Sequence, residues 1–377
     1  MPRVTAYGPA CLGNLAAGFD TLGVALAPLA SGAAPAGDTA RPDVSLARGD
    51  RLAGAAGPAM TAASFAAGNL AGVGRAELWG DIVEVTAGGD AGGAEGGLVP
   101  RAGGATPYSL VCAGPYAHQL PADPGQNLAW KACAAFERRL GRPLPPLDLR
   151  LHKGLPVAGG LGSSSATVVA VLRALDALFE HPLGDLELLA AAGEAEADAA
   201  GGVHLDNVAA ALLGGLRLVD AMGGSHLLPF PADLRFVLAS PERLALTTRQ
   251  ARAALPGSLP LALAVAHAQN LATLVHALHA GDRALLRACL RDLVAEPHRA
   301  HLVPGFLDVQ GAALAAGAWG CSFSGAGPAI FAVAEGPQAP AVGEAMRRAW
   351  ADAGIVARMT LCTVDHQGAR VLEERWS

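Results

Sequence analysis

Pro156-Val157-Ala158-Gly159-Gly160-Leu161-Gly162-Ser163-Ser164-Ser165-Ala166 packs three glycines and three serines between two regular patterns. Before it, residues 147–151 (Leu-Asp-Leu-Arg-Leu) alternate as an extended segment does. After it, Val168, Val171, Leu172, Leu175 and Phe179 recur at helical spacing. Glycine admits left-handed backbone and close approach of a ligand. Successive N–H groups in such a turn, continued by the first turn of a helix, form an anion site, and serine hydroxyls add phosphate donors and metal ligands. The plainer alternative is a tight strand-to-helix turn that binds nothing. Three named loops can be tested against the stretch. A P-loop needs Gly-Lys-Ser/Thr, and the chain's two lysines, Lys131 and Lys153, lie elsewhere. The dinucleotide fingerprint ends on Gly where this chain has Ser165. The hydrolase elbow needs a Gly two residues after its serine, and none is there.

The chain has 377 residues, enough for a large core and two domains. It is 52% hydrophobic and 16% charged, with net charge −6. That balance argues against nucleic acid as the main partner, which would favour a basic patch. The six cysteines are scattered with no Cys-x-x-Cys, as in a reduced, cytoplasmic protein with free thiols. No uncharged apolar run is expected to reach membrane-spanning length, so no membrane partner is expected. Residues 21–36 imitate a secretory signal, but Asp20 precedes them and Arg3 alone makes a poor basic region. They are read as opening with a strand.

Taken as a whole, Pro-x-x-x-Gly-Leu-Gly-Ser-Ser-Ser resembles the ATP loop of the GHMP small-molecule kinases. Further stretches resemble the homoserine kinase branch of that family, in its proteobacterial form. Pro9-Ala-Cys-Leu-Gly-Asn14-Leu-Ala-Ala-Gly-Phe-Asp20-Thr-Leu-Gly is similar to the branch's N-terminal signature, with Ala16-Ala17 where a Gly-Pro pair is usual. Gly193-Glu194-Ala-Glu196, then His204-Leu-Asp206-Asn207-Val-Ala-Ala-Ala-Leu-Leu-Gly-Gly, match its middle. Thr247-Thr248-Arg-Gln-Ala-Arg252-Ala-Ala-Leu-Pro and Ala-Glu-Pro-His-Arg299 match its second half. Ser324-Gly325-Ala-Gly-Pro resembles the third family signature, with Ala326 and Ala329 in place of the commoner Ser and Thr.

The resemblance implies an α+β protein: a ribosomal-S5-domain-2-like N-terminal domain over residues 1–221 and a ferredoxin-like C-terminal domain over 222–377. Ala/Gly/Pro-rich segments 31–77 and 87–105 look inserted. It implies transfer of phosphate from ATP, with Mg²⁺, to the hydroxyl of L-homoserine, a step toward threonine. A homodimer is one assembly compatible with it. The loop from Pro156 to Ala166 would hold the ATP phosphates, and Asn127, at the start of a helix from about residue 123, would lie by the adenine. Asn127 equally suits a plain helix-start residue. Mg²⁺ would be held by Ser164 or Ser165 with Glu194, which the family's Gly-Glu pair favours, although spacing leaves Glu196 open. Asn14 would lie near the reacting phosphate. Asp20, His204, Asn207, Thr248, Arg252, Arg299 and Gly325 would contact the amino acid, with Arg252 clamping its carboxylate in bidentate fashion. Asp206 aligns with the base of mevalonate kinase, although the lysine partnering it there has no equivalent here. Alternatives are a family kinase for another small alcohol and a member that binds ligand without catalysis. A zinc site at His276 and His279, or at His298 and His301, lacks further ligands in register.

Alternation and helical spacing also predict strands at residues 3–7, 81–86, 235–239 and 357–362, and helices at 185–200, 262–280, 284–294 and 338–353.

Overall fold

The computed structural model describes residues 1–29, 78–88, 108–121, 123–200 and 204–376. The expected insertions, 31–77 and 87–105, lie outside these residues apart from residues 87 and 88. The first sheet runs in the order β13-β1-β4-β6-β5. Its members are β1 (Arg3–Pro9), β4 (Gly80–Ala87), β5 (Ser109–Ala113), β6 (Leu147–His152) and β13 (Arg370–Arg375). All its pairings are antiparallel except β5 with β6.

Four helices cover the elements around this sheet: α1 (Leu128–Leu140), α2 (Ser163–Leu178), α3 (Asp185–Ala200) and α4 (Asp206–Leu213). The helix α2 is the centre. Of its residues, Ser164 alone is not buried. A helix apolar on every side belongs inside a protein. Val168, Val171, Leu172 and Leu175 pack there with Val4, Val83 and Val85 of the sheet and Phe136 of α1. That interior position fixes where the N-terminus of α2, and hence the glycine loop before it, points.

The second sheet runs in the order β10-β11-β9-β12-β3-β7-β8, with β2 also paired to β3. These strands are β2 (Cys11–Gly13), β3 (Leu22–Pro28), β7 (Leu216–Val219), β8 (Ser225–Leu228), β9 (Leu234–Pro241), β10 (Gly320–Phe323), β11 (Ile330–Glu335) and β12 (Ala357–Val364). The helices of the second half are α5 (Thr248–Ala253), α6 (Leu261–Ala280), α7 (Arg283–Cys289), α8 (Ala295–Arg299), α9 (Phe306–Ala315) and α10 (Ala339–Asp352). Phe306 and Val309 of α9 and Val342, Met346 and Trp350 of α10 pack with Val237, Ile330 and Ala332 of β9 and β11.

Several expectations change. The boundary drawn between residues 221 and 222 falls inside the β7–β8 hairpin, and β12 pairs with β3 across it. The last strand, β13, returns to pair with β1. The helix read over 284–294 stops at Cys289; Asp292 then accepts the N–H groups of Val294, Ala295 and Glu296 to start α8. α6 carries no Asp, Glu, Lys or Arg over 20 residues, so one run is long and apolar enough to cross a membrane, contrary to expectation. Asn270, Leu274, Ala277 and Leu278 on it are buried, and Asn270 donates to the carbonyls of Cys289 and Arg291.

Candidate active site

The loop from β6 to α2 is built by close backbone approaches. Gly160 (φ +79°) and Gly162 (φ +61°) are left-handed, and Gly162 is the N-cap of α2. A Cβ on Gly162 would lie 2.0 Å from Cys11 Sγ, and one on Gly160 2.6 Å from the Ser324 carbonyl oxygen. Only glycine satisfies both the φ and the space. The entry of the loop is pinned by buried Asp81. Its Oδ1 accepts the N–H groups of Gly154 and Leu155 at 2.9 and 3.3 Å. Its Oδ2 meets Lys153 Nζ and Thr167 Oγ1, both at 2.5 Å. Lys153 also donates to the Ser163 carbonyl at 2.7 Å, so one ion pair ties the loop entry to the first turn of α2.

A cavity of about 320 Å³ opens at this N-terminus. Val157, Ala158, Gly159, Gly160, Gly162, Ser163 and Ser164 line it, whereas Pro156, Leu161, Ser165 and Ala166 do not. Leu161 and Ala166 face the core because apolar side chains of the loop bury behind the backbone that faces outward. Asn127 lines the cavity, and its Oδ1 caps α1 by accepting the Ala129 N–H at 3.0 Å.

The two glutamates of α3 part company. Glu194 does not reach the cavity. It bonds Arg138, at 3.3 Å, and Arg139, and those arginines, working against partial burial, hold its carboxyl below its usual range. Glu196 is buried and lines the cavity. Burial pushes it up to about 7, with the nearby Ser165 and Ser164 hydroxyls opposing and the Asp206 charge adding to the rise. Among the described residues, Glu196 Oε1 and Ser165 Oγ are buried without a hydrogen-bond partner. A carboxylate and hydroxyls beside a phosphate cradle are the hard oxygen donors Mg²⁺ takes. The residues present therefore fit the ion, through Glu196 rather than Glu194. Among the described residues no group of three or more His, Cys, Asp or Glu side chains is placed to hold a metal by itself, the histidine pairs included.

Opposite the phosphate loop, the chain between β2 and β3 supplies Asn14 and Asp20, both at positive φ (+60° and +54°). Non-glycine residues in that region mark strain held by the surroundings. Asn14 Oδ1 accepts the Asp20 N–H at 2.8 Å, and Asn14 Nδ2 donates to the Gly325 carbonyl at 3.2 Å. Asp20 Oδ1 meets Arg252 at 2.5 Å, and the same guanidinium nitrogen lies 3.1 Å from His204 Nδ1. Burial pushes the His204 imidazole below its usual pKa, the Asp20 charge opposing and Arg252 adding to the fall. Arg252 Nε is buried with no hydrogen-bond partner among the described residues. Arg299 donates to the carbonyls of Ala251 and Gly325. Asn207 and Thr248 also line the cavity. Asp206 opens α4. Its Oδ2 accepts the Asn14 N–H at 3.2 Å, and burial with the Asp20 charge raises its pKa to about 6, against hydrogen bonds from the Asn207 and Asn14 N–H groups.

The third glycine turn joins the halves. Ser324 Oγ donates to the Gly160 carbonyl at 2.6 Å, the Gly325 N–H to Gly13, and the Ala329 N–H to Gly159. Sequence reasoning missed Lys153, Asp81, Thr167 and Phe19. Lys153 and Thr167 stand at the two ends of the loop and Asp81 on β4, and only their meeting in space shows them; Phe19 sits inside a quoted signature.

The site thus defines a class: an α+β protein with a backbone-built phosphate cradle facing a pocket of paired charges. Residues 127–215 match the model of the GHMP kinases N-terminal domain, and residues 274–352 that of the GHMP kinases C-terminal domain. The two domain models are met in order, and the α+β architecture is that of the GHMP kinase fold. Its structure is similar to that of homoserine kinase from Cytophaga hutchinsonii, with a TM-score of 0.75 and 29% identity over 98% of this chain and 97% of that one. It is also similar to the Lin0012 protein from Listeria innocua, with a TM-score of 0.62 and 12% identity over 98% and 99% of the two chains. For L. major mevalonate kinase, crystallised with R-mevalonate, the TM-score is 0.52 and the identity 18% over 75% and 85%.

Proposed function

We propose that this chain transfers the γ-phosphoryl group of ATP to the side-chain hydroxyl of L-homoserine. The observation that carries this reading is the charge pattern opposite the phosphate loop. Asp20 offers a carboxylate for an ammonium, and Arg252, with its unpartnered buried Nε, and Arg299 offer guanidinium groups for a carboxylate. An α-amino acid carries both complements on one carbon. A hydroxy acid such as mevalonate would satisfy the arginines and leave Asp20 without an ammonium. The likeness to the Cytophaga homoserine kinase supports the same reading.

The hydroxyl oxygen attacks the γ-phosphorus, the bond from that phosphorus to the β,γ-bridging oxygen breaks, and ADP leaves with the electron pair. Catalysis of such a loose transition state is positioning and charge stabilisation. The N–H groups from Gly159 to Ser165 and the N-terminus of α2 hold the phosphates. Ser164, Ser165 and Glu196 would hold Mg²⁺, which neutralises phosphate charge when bound. Asp20, His204, Asn207 and Thr248 orient the amino acid, and Asn14 stands between its loop and Gly325. The hydroxyl proton passes to the transferred phosphoryl group. Asp206 holds the Asn14 N–H rather than acting as the base.

A coupled assay for ADP release with MgATP and L-homoserine, mevalonate, galactose or 4-diphosphocytidyl-methylerythritol tests this reading. Turnover confined to L-homoserine is expected. Turnover of another member of the panel overturns the substrate, and ligand binding with no ADP release overturns catalysis.

A further inference from the structure

Arg252 and Arg299 lie close enough for like-charge repulsion. Burial lowers the pKa of Arg299, Asp292 opposes, and the Arg252 charge pushes it further down. Asp20 pairs with Arg252 and offsets Arg299 only through space. Both guanidinium carbons, however, sit over one aromatic ring. Arg252 Cζ is 5.3 Å and Arg299 Cζ 5.2 Å from the centroid of Phe19. Those distances are within cation–π range, and an aromatic face is negative. Phe19 does not line the cavity. Its neighbour Gly18 leaves no room for a side chain, since a Cβ there would lie 2.4 Å from Leu22 Cβ. The ring is thus held by the turn that also sets Asp20 at positive φ.

We propose that Phe19 is a positioning residue for carboxylate recognition: its π face holds Arg252 and Arg299 side by side, so that together they clamp one carboxylate. Arg299 keeps two donors on the carbonyls of Ala251 and Gly325. Arg252 keeps one nitrogen on Asp20 and leaves Nε without an acceptor among the described residues. The ring thus sets the faces of the two cations while these bonds set their edges. The assignment rests on the reading of the pocket as an amino-acid site, but it concerns the carboxylate alone.

Calorimetry on the full chain, with L-homoserine, 4-hydroxybutyrate and 4-hydroxybutyramide as probes, tests it without requiring turnover. Phe19→Leu is expected to weaken binding of both carboxylates about tenfold, and Phe19→Tyr to restore it. The amide, which lacks the charge, is expected to bind both variants as it binds the unaltered protein. A trifluorinated phenylalanine at position 19 keeps the shape and drains the face, so it should weaken the carboxylates several-fold even if Phe19→Leu does not fold. Equal carboxylate binding by the fluorinated and unaltered proteins, or no carboxylate binding by the unaltered protein, would overturn the proposal. If 4-hydroxybutyrate responds as expected while L-homoserine is neither bound nor phosphorylated, the proposed substrate fails and the role of Phe19 stands.

Discussion

The two halves of the cavity are made from different material. The phosphate half is backbone: Gly160 and Gly162 at positive φ, the N–H groups that follow them, and an interior helix behind. The facing half is side chain: Asp20, His204, Arg252 and Arg299 come from four separate segments and meet only in the folded protein. A backbone cradle recognises what all its nucleotide ligands share. A constellation of side chains recognises one ligand, and it fails one residue at a time.

The sharpest break in this comparison lies at Glu196, the acidic residue of α3 that lines the cavity among the described residues. Glu196→Gln is expected to lower kcat with MgATP by about 10²–10³-fold, while Glu194→Gln stays near the unaltered rate. Comparable losses in both would remove the distinction between the glutamates. On the other side, Arg252→Ala should raise KM for L-homoserine by about 10²-fold and leave KM for MgATP nearly unchanged. A matching rise in both constants would mean that the halves are not separate. Asp206→Asn should keep kcat within about tenfold, because the loose transition state asks little of a base. A much larger loss, together with disappearance of a pH-rate limb near the pKa of about 6, would make Asp206 the base.

Two smaller effects concern stability. The folded protein holds the Glu196 proton to about pH 7, against a usual value of 4.5, so between those values it binds a proton that the unfolded chain has released. Stability of the metal-free protein is therefore lost as pH rises through that window. Glu196→Gln should raise its Tm above pH 7, and the difference should vanish below pH 4.5; the opposite trend would contradict burial as the cause. Ala158 has φ +56° and offers the loop its carbonyl, which accepts the Leu246 N–H. Ala158→Gly should stabilise by about 0.5–1 kcal/mol in a chemical melt without changing either KM, as befits a loop that works through its backbone.

The difference in material also governs what the sequence reveals. The phosphate loop is legible because its conformation is encoded locally, in glycines and serines that sit beside one another. The choice between Glu194 and Glu196 is not. Two residues apart on a helix, they point about 200° away from each other, and only the packing of α3 against α1 says which side faces the loop. Glu194 faces Arg138 and Arg139 of α1, and nothing local marks those arginines as its partners. The facing half becomes legible through resemblance to a family, residue by residue; Phe19 stands within a quoted signature, yet its place beside two distant arginines exists only once the chain is folded. The same holds for the fold. The helices are written in their own spacing, whereas the return of β13 to β1 and the joining of β12 to β3 are long-range pairings with no local signal.

The most direct measurement is identification of the phosphorylated product after incubation of the protein with MgATP and L-homoserine. The account predicts O-phospho-L-homoserine in amounts equal to the ADP released, with the amino and carboxylate groups unmodified. No phosphorylated homoserine, from a protein that phosphorylates a different alcohol or releases no ADP at all, would contradict it.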